Sequence, residues 1–234
     1  MKRRKAAPSP VVFLFDVDNT LLDNDQVQVD LQKHLSEEVE ARGAKVYWAF
    51  FEDLRRRLGY ADYLGALQRF RREYPHDLRL LAVSRFLIDY PFANRLYANS
   101  LDVLKHVGRW GPVALLSDGD VVFQPRKVDR SGLGEAVGGH VMVYVHKEHE
   151  LADVARRLPA RHYVMVDDKL RILTAIKKIW RNRVTTVFVR QGHYALNADV
   201  VKRFPVADIT VERIGDLLHH NLRDFLRGAQ SPAA

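Results

Sequence analysis

The chain has 234 residues, 47% of them hydrophobic, and a formal charge of +8 at pH 7; that length supports a full α/β core, as one domain or as a domain with an insertion. It contains no cysteine, which excludes disulfides, thiolate nucleophiles and Cys-ligated zinc and agrees with a cytoplasmic setting. No window approaches the roughly 20 apolar residues of a membrane span, so no membrane association is expected.

Part of the positive charge is local. Met1-Lys2-Arg3-Arg4-Lys5 opens residues 1–10, read as a disordered basic tail. It is not a secretory leader, because the apolar run 11–15 is cut at once by Asp16. That run, Val11-Val12-Phe13-Leu14-Phe15, predicts a buried strand. Its tip releases two carboxylates in Asp16-Val17-Asp18-Asn19-Thr20. Residues 23–97 form a long helical insertion, with Leu64, Leu67 and Phe70, then Leu78, Leu80 and Leu81, at helical spacing. Tyr47, Trp48, Phe51, Tyr60 and Tyr63 are expected mostly in a small core of its own, with Arg55 on a solvated face.

Further strands are predicted at 113–116, 141–145, 163–166 and 185–189, with a weaker one at 207–211. Helical patterns at 100–107, 125–131, 147–158, 170–180 and 212–227 alternate with them. Alternation of this kind predicts a doubly wound, Rossmann-like parallel sheet. Its core would comprise residues 11–22 and 98–234, interrupted by the insertion.

In such a sheet the strand tips lie side by side, where ligand sites of open α/β sheets collect. Asp16 and Asp18 follow the first strand, Ser117 and Asp118 the second, Lys147 the third, and Asp167 and Asp168 the fourth. Asp16, Asp18, Asp167 and Asp168 would crowd one crevice, an unfavourable arrangement without a cation. Ligands that are all oxygen favour Mg²⁺. Ser117, nearby main-chain N–H groups around Asp118 and the Lys147 ammonium could hold an anion's oxygens.

This ordered set resembles the haloacid dehalogenase-like superfamily, in particular its phosphatase branch, over nearly the whole chain. Asp16-Val17-Asp18-Asn19-Thr20 looks like its first motif, Leu116-Ser117-Asp118-Gly119 the second, Lys147 the third and Val166-Asp167-Asp168 the fourth. The insertion stands where that family carries a helical cap. The resemblance implies Asp16 as nucleophile and Asp18 as acid and base. It implies a Mg²⁺ ion bridging Asp16, the Asp18 carbonyl and Asp168, with Asp167 supporting the metal shell. Two departures stand out: the acidic pair replaces Gly-Asp, with Asp168 the favoured ligand, and Lys147-Glu148 replaces the common Lys-Pro. Dehalogenases of the family lack the second aspartate, so Asp18 points to phosphoryl chemistry.

Rival readings of these residues are weaker. A calcium loop starting at Asp16 would need Gly and Glu where Leu21 and Val27 stand. Lys127 also follows the second strand, but its helical pattern suggests a solvent-facing side chain. His146, Glu148, His149 and Glu150 read as a solvated helical turn, since the zinc motif's last histidine is replaced by Asp153. Gly132, Gly134, Gly138 and Gly139 miss the dinucleotide fingerprint. The run 190–194 reads as an ordinary loop. The expectation is a Mg²⁺-dependent phosphatase acting on a small phosphorylated metabolite through an aspartyl-phosphate. A phosphotransferase or phosphomutase on the same site is one alternative. A catalytically idle, basic nucleic-acid-binding protein is another, although no nucleic-acid motif is present.

Overall fold

The computed structural model describes residues 7–226. Six strands form one parallel sheet: β1 (Ser9–Phe15), β2 (Val113–Asp118), β3 (Val141–Tyr144), β4 (Ala160–Asp167), β5 (Val184–Val189) and β6 (Ile209–Val211). Their spatial order is β3-β2-β1-β4-β5-β6. The chain winds outward from β1 to β3 in one direction and from β4 to β6 in the other. The strand order therefore reverses between β1 and β4, the place where such sheets bind ligands.

The central strands are continuously apolar because both faces are covered. Val11, Phe13 and Phe15 of β1 join one buried layer with Leu115, Val164 and Val187. Val12 and Leu14 join the opposite layer with Ala114, Leu116 and Met165. Alternate side chains thus serve two cores, as the two-residue period of a strand requires.

Helices α1 (Asn24–Glu38), α2 (Glu40–Leu58), α3 (Tyr63–Glu73) and α4 (Leu80–Asp89) make up the insertion. They are followed by α5 (Ser100–Val107), α6 (Phe123–Arg130), α7 (Leu133–Ala136), α8 (Leu151–Arg157), α9 (Leu170–Trp180), α10 (Gly192–Leu196), α11 (Ala198–Val201) and α12 (Leu222–Leu226). Asp23 caps α1 by accepting from the Gln26 N–H. Gly59 ends α2 in the left-handed region at φ 82°. No helix among the described residues is long and apolar enough to cross a membrane.

Several sequence expectations change. β1 begins at Ser9, so the end of the expected tail is already strand, while residues 1–6 lie outside the described residues. The helix expected at 147–158 is a 3-10 turn, Lys147–His149, and then α8, broken at Glu150 with φ −104° and ψ 18°. The pattern at 212–227 is likewise a 3-10 turn, Ile214–His219, and then α12, separated by extended backbone at His220. Leu78 and Leu81 are exposed, and only Leu80 of that triplet is buried.

The insertion's buried aromatic residues form a core continuous with that of the sheet. Phe51 contacts Tyr63, Tyr63 contacts Phe123 of α6 at 5.0 Å between ring centroids, and Phe123 meets Phe92 at 5.7 Å. The insertion's aromatic residues belong to the same buried layer as one face of the sheet. Phe123→Ala should therefore destabilise the whole molecule by about 3–5 kcal/mol, in one cooperative denaturant transition. A separate early transition for the insertion, with the sheet unaffected, would contradict this continuity.

Candidate active site

The turn after β1 is compact. The N–H groups of Thr20, Leu21 and Leu22 all point to the Val17 carbonyl, and Asn19 N donates to the Leu22 carbonyl at 2.7 Å. Asn19 sits at φ 60°, a conformation that asparagine tolerates better than most residues. Its side-chain oxygen accepts from the N–H groups of Asn24 and Asp25 and so fixes the start of α1. The same turn therefore aims Asp16 and Asp18 and anchors the insertion.

Asp16 is buried beneath this turn, and its backbone N–H donates to Val166 in neighbouring β4. Its Oδ1 accepts from Lys147 Nζ at 2.5 Å, and its Oδ2 faces the Thr20 hydroxyl at 3.5 Å. Lys147 Nζ also pairs with Asp167 Oδ2 at 2.7 Å and donates to the Leu116 carbonyl at 3.2 Å. Burial opposes a charge on this lysine, but the fields of Asp16 and Asp167 override it and hold the ammonium firmly protonated. Asp118 braces the third loop by accepting the Lys147 backbone N–H at 2.7 Å. Burial raises the pKa of the Asp118 carboxyl despite the nearby lysine.

Ligand oxygens of Asp16, Asp167 and Asp168 lie within 4.8 Å of one another. Asp167 accepts from the Lys169 N–H at 2.8 Å. Asp168 is different: it is 1% exposed, and neither carboxylate oxygen has a hydrogen-bond partner. Burial pushes its pKa far up against the field of the Lys169 ammonium, and the neighbouring Asp167 and Asp16 add to the rise. A buried carboxylate without donors is costly. A hard divalent cation relieves that cost, and three clustered carboxylates suit Mg²⁺ in ligand type and charge. Asp18 stands apart from this cluster, with its side chain 21% exposed and turned toward Lys127.

Lys127 corrects the sequence expectation. Instead of facing solvent it is fully buried, with Nζ 2.6 Å from Asp18 Oδ1 and 2.9 Å from Asn24 Oδ1. The signal was present in the helical spacing: Phe123, Gln124, Lys127 and Val128 share the buried face of α6. Gln124 also escaped the sequence reading. Its Nε2 donates to the Ser117 hydroxyl at 2.9 Å and so orients it.

A cavity of about 380 Å³ opens beside the acidic cluster, with Asp16, Ser117 and Lys147 outside its lining. Asp18, Asp118 and Asp168 line it from the sheet side, and Arg55, Tyr60 and Tyr63 from the insertion. Arg55 is thus not simply solvated. The loop after β5 is not idle either, because His193 and Tyr194 line the same cavity. The turn at 147–150 is less solvated than expected: Glu148 is buried and paired with Arg171 at 2.6 Å. His146 packs so closely on Gly59 of the insertion that a Cβ there would lie 2.5 Å from its ring.

Buried carboxylates at the switch point of a doubly wound sheet, partly neutralised by one lysine, mark this as the candidate active site. The family model for haloacid dehalogenase-like hydrolases matches residues 11–179, and the chain belongs to that family. A haloacid dehalogenase-like hydrolase from Burkholderia xenovorans LB400 is similar at 60% identity and TM-score 0.88, over 92% of this chain and 100% of that one. The HAD-hydrolase YfnB from Bacillus subtilis, solved bound to magnesium, matches at 14% identity and TM-score 0.60, over 90% and 98% of the two chains. An L-2-haloacid dehalogenase from Xanthobacter autotrophicus matches at 18% and 0.57, over 89% and 96%. These last two share the fold. Comparison with curated proteins gave no match.

Because Lys127 is fully buried against a part-exposed Asp18, Lys127→Met should cost about 3 kcal/mol by leaving Asp18 and Asn24 without their cation. Adding Asp18→Asn should recover much of that loss in urea unfolding, since the uncompensated charge is gone. Equal destabilisation with and without Asp18→Asn would show that the pair is not coupled.

Proposed function

We propose that this hydrolase is a Mg²⁺-dependent phosphomonoesterase. The observation that supports it most is the second aspartate, Asp18, held at the cavity by Lys127, whose ammonium also donates to Asn24, beside the buried Asp16. Attack on a phosphate ester needs a nucleophile and, separately, a proton for the departing alkoxide. Displacement of halide needs no such proton, so a second carboxylate at this position favours phosphoryl transfer over dehalogenation.

Asp16 is the nucleophile. Lys147 holds one of its oxygens and fixes the carboxylate plane, while the Thr20 hydroxyl faces the other. Ser117, oriented by Gln124, and Lys147 hold phosphoryl oxygens as charge spreads over them. The main chain at Asp118 completes this cradle. Asp18 gives a proton to the leaving alkoxide, then takes one from the water that hydrolyses the aspartyl-phosphate. Lys127 orients Asp18 throughout. Asp16, Asp168 and the Asp18 carbonyl would hold Mg²⁺, with Asp167 in support. When bound, the ion shields the nucleophile's charge from that of the incoming phosphate. The helical insertion acts as a cap that excludes water and selects the alcohol. If a sugar hydroxyl replaced water as acceptor, the same residues would run a phosphotransferase.

Two experiments bear on this reading. Chelation should abolish p-nitrophenyl phosphate hydrolysis and Mg²⁺ should restore it, with Asp168→Asn weakening Mg²⁺ affinity more than Asp167→Asn. Full turnover after exhaustive chelation would refute the site, and the reverse order would move the ligand to Asp167.

The second experiment separates the two aspartates of the first motif by rapid mixing. Asp16→Asn should show no covalent step with any ester. Asp18→Asn should still give a nitrophenolate burst, because that leaving group departs without a proton, followed by slow turnover. Alkyl phosphates should lose far more rate in Asp18→Asn than nitrophenyl phosphate does. Equal losses for both leaving groups would remove Asp18 from the acid role.

A further inference from the structure

The acidic cluster has a counterpart in the same cavity. Four cations line it: Arg55 from the insertion, and Lys169, Arg171 and Arg203 from the core. They are not equivalent. Arg171 is neutralised by the buried Glu148 at 2.6 Å. Arg55 shares only the half-exposed Glu52, one helical turn back on α2, at 2.9 Å. Lys169 stands in the field of Asp168, Asp16 and Asp167, which holds its ammonium protonated despite burial. Among the described residues, Arg203 has no carboxylate within ion-pair distance and its side chain makes no hydrogen bond. Where this cavity needs a purely structural cation, as at Arg171, it supplies a carboxylate; at Arg203 it supplies none.

Two of these cations converge on one ring. Arg55 Nη1 donates to the Tyr194 hydroxyl at 3.3 Å, and Lys169 Nζ stands 5.2 Å from the centre of the Tyr194 ring. Tyr194 thus ties a cation of the insertion to a cation of the core. Like charges gathered around one cavity repel, and an anion between them removes the cost. Guanidinium forks suit carboxylate and phosphate oxygens in particular. Val200, Val201 and Phe204 add an apolar stretch of wall beside Arg203, suited to a short carbon skeleton.

We propose that Arg55 and Arg203 form an anion subsite for the alcohol part of the substrate, so that the substrate is a phosphomonoester bearing a second anionic group, a carboxylate or a phosphate. The substrate class rests on the phosphoryl-transfer reading above; the anion subsite itself does not. One end of such a molecule meets Lys147, Ser117 and the metal-binding carboxylates, and the other meets Arg55 and Arg203. A neutral alcohol leaves Arg203 uncompensated.

Phosphonates test this without turnover, because their carbon–phosphorus bond is not an ester. Calorimetry with Mg²⁺ present would compare propylphosphonate, 3-phosphonopropionate and propane-1,3-bisphosphonate on the full chain. The two doubly anionic ligands should bind about tenfold or more tightly than propylphosphonate. Their ranking shows whether carboxylate or phosphate is preferred. Arg203→Gln and Arg55→Gln, both at solvent-accessible positions, should each narrow the gap, and the double variant should bring it to within about threefold. Binding of propylphosphonate should hardly change. Equal binding of all three ligands by the unmodified protein, no binding of either dianion, or equal loss of all three in the variants would overturn the subsite. If p-nitrophenyl phosphate is not hydrolysed with Mg²⁺ while the gap persists, the phosphatase reading fails and the subsite stands.

Discussion

One ammonium organises this molecule's site. Lys147 Nζ sits between the carboxylates of Asp16 and Asp167, and its side chain is 1% exposed. These acids close β1 and β4, the two strands flanking the point where the sheet order reverses. Without the lysine, two buried anions would stand on adjacent strands in low dielectric, which is strongly unfavourable. The compensation is only partial, because Asp168 stays buried without a donor. The protein thus balances enough charge to fold and leaves one carboxylate for a cation to satisfy. Lys147 also reaches the Leu116 carbonyl, and its N–H is held by Asp118. The tip of β2 is thereby locked to the same centre, beside Ser117.

The legibility of the fold in the sequence follows from burial. The central strands have both faces covered, so 11–15 and 163–166 read as unbroken apolar runs and 185–189 as a β-branched and aromatic one. The edge strand β3 is only partly buried, and Val145, expected within it, lies outside the strand and is exposed. The acidic residues at the tips of β1 and β4 are legible for the same reason, since Asp16 and Asp167 follow buried runs directly. What escaped depends on tertiary contacts. Lys127 reads as a surface lysine unless Phe123 and Val128 are recognised as the inward face of its short helix, and its partner Asp18 is 109 residues away. Gln124 gave no chemical signal at all; its role arises only because α6 returns over Ser117. The same holds for Tyr194, whose neighbours Arg55 and Lys169 come from distant parts of the chain.

The insertion's place in the architecture also differs from a free-standing lid. Its first helix is fixed by Asn19 and by Lys127 through Asn24, and its aromatic layer runs through Tyr63 into Phe123. These contacts lie on the side nearest the first motif. On the other side the contacts are lighter, with Gly59 resting on His146 and Arg55 on Tyr194. A packed aromatic layer deforms little, whereas a histidine edge and one long hydrogen bond part easily. Closure over a substrate is therefore expected to hinge at the Asn24–Tyr63 side and to work at the Arg55–Tyr194 side.

That asymmetry joins the hinge to the chemistry. Asn24 shares the Lys127 ammonium with Asp18, so the residue that starts the insertion and the proposed acid–base group take their positions from one cation. A tilt of α1 that drew Asn24 away would leave Lys127 to Asp18 alone, and a tilt inward would restore the shared geometry. Arg55 lies on the part of the insertion expected to move, while the proposed nucleophile and metal ligands lie at the tips of the sheet. An anion bridging Arg55 and the core would hold the insertion in place and, through α1, keep Asp18 where its proton is needed. Binding energy from the remote end of a substrate would then be realised at the reacting end, which is how a small alcohol without such a group can bind and still react slowly.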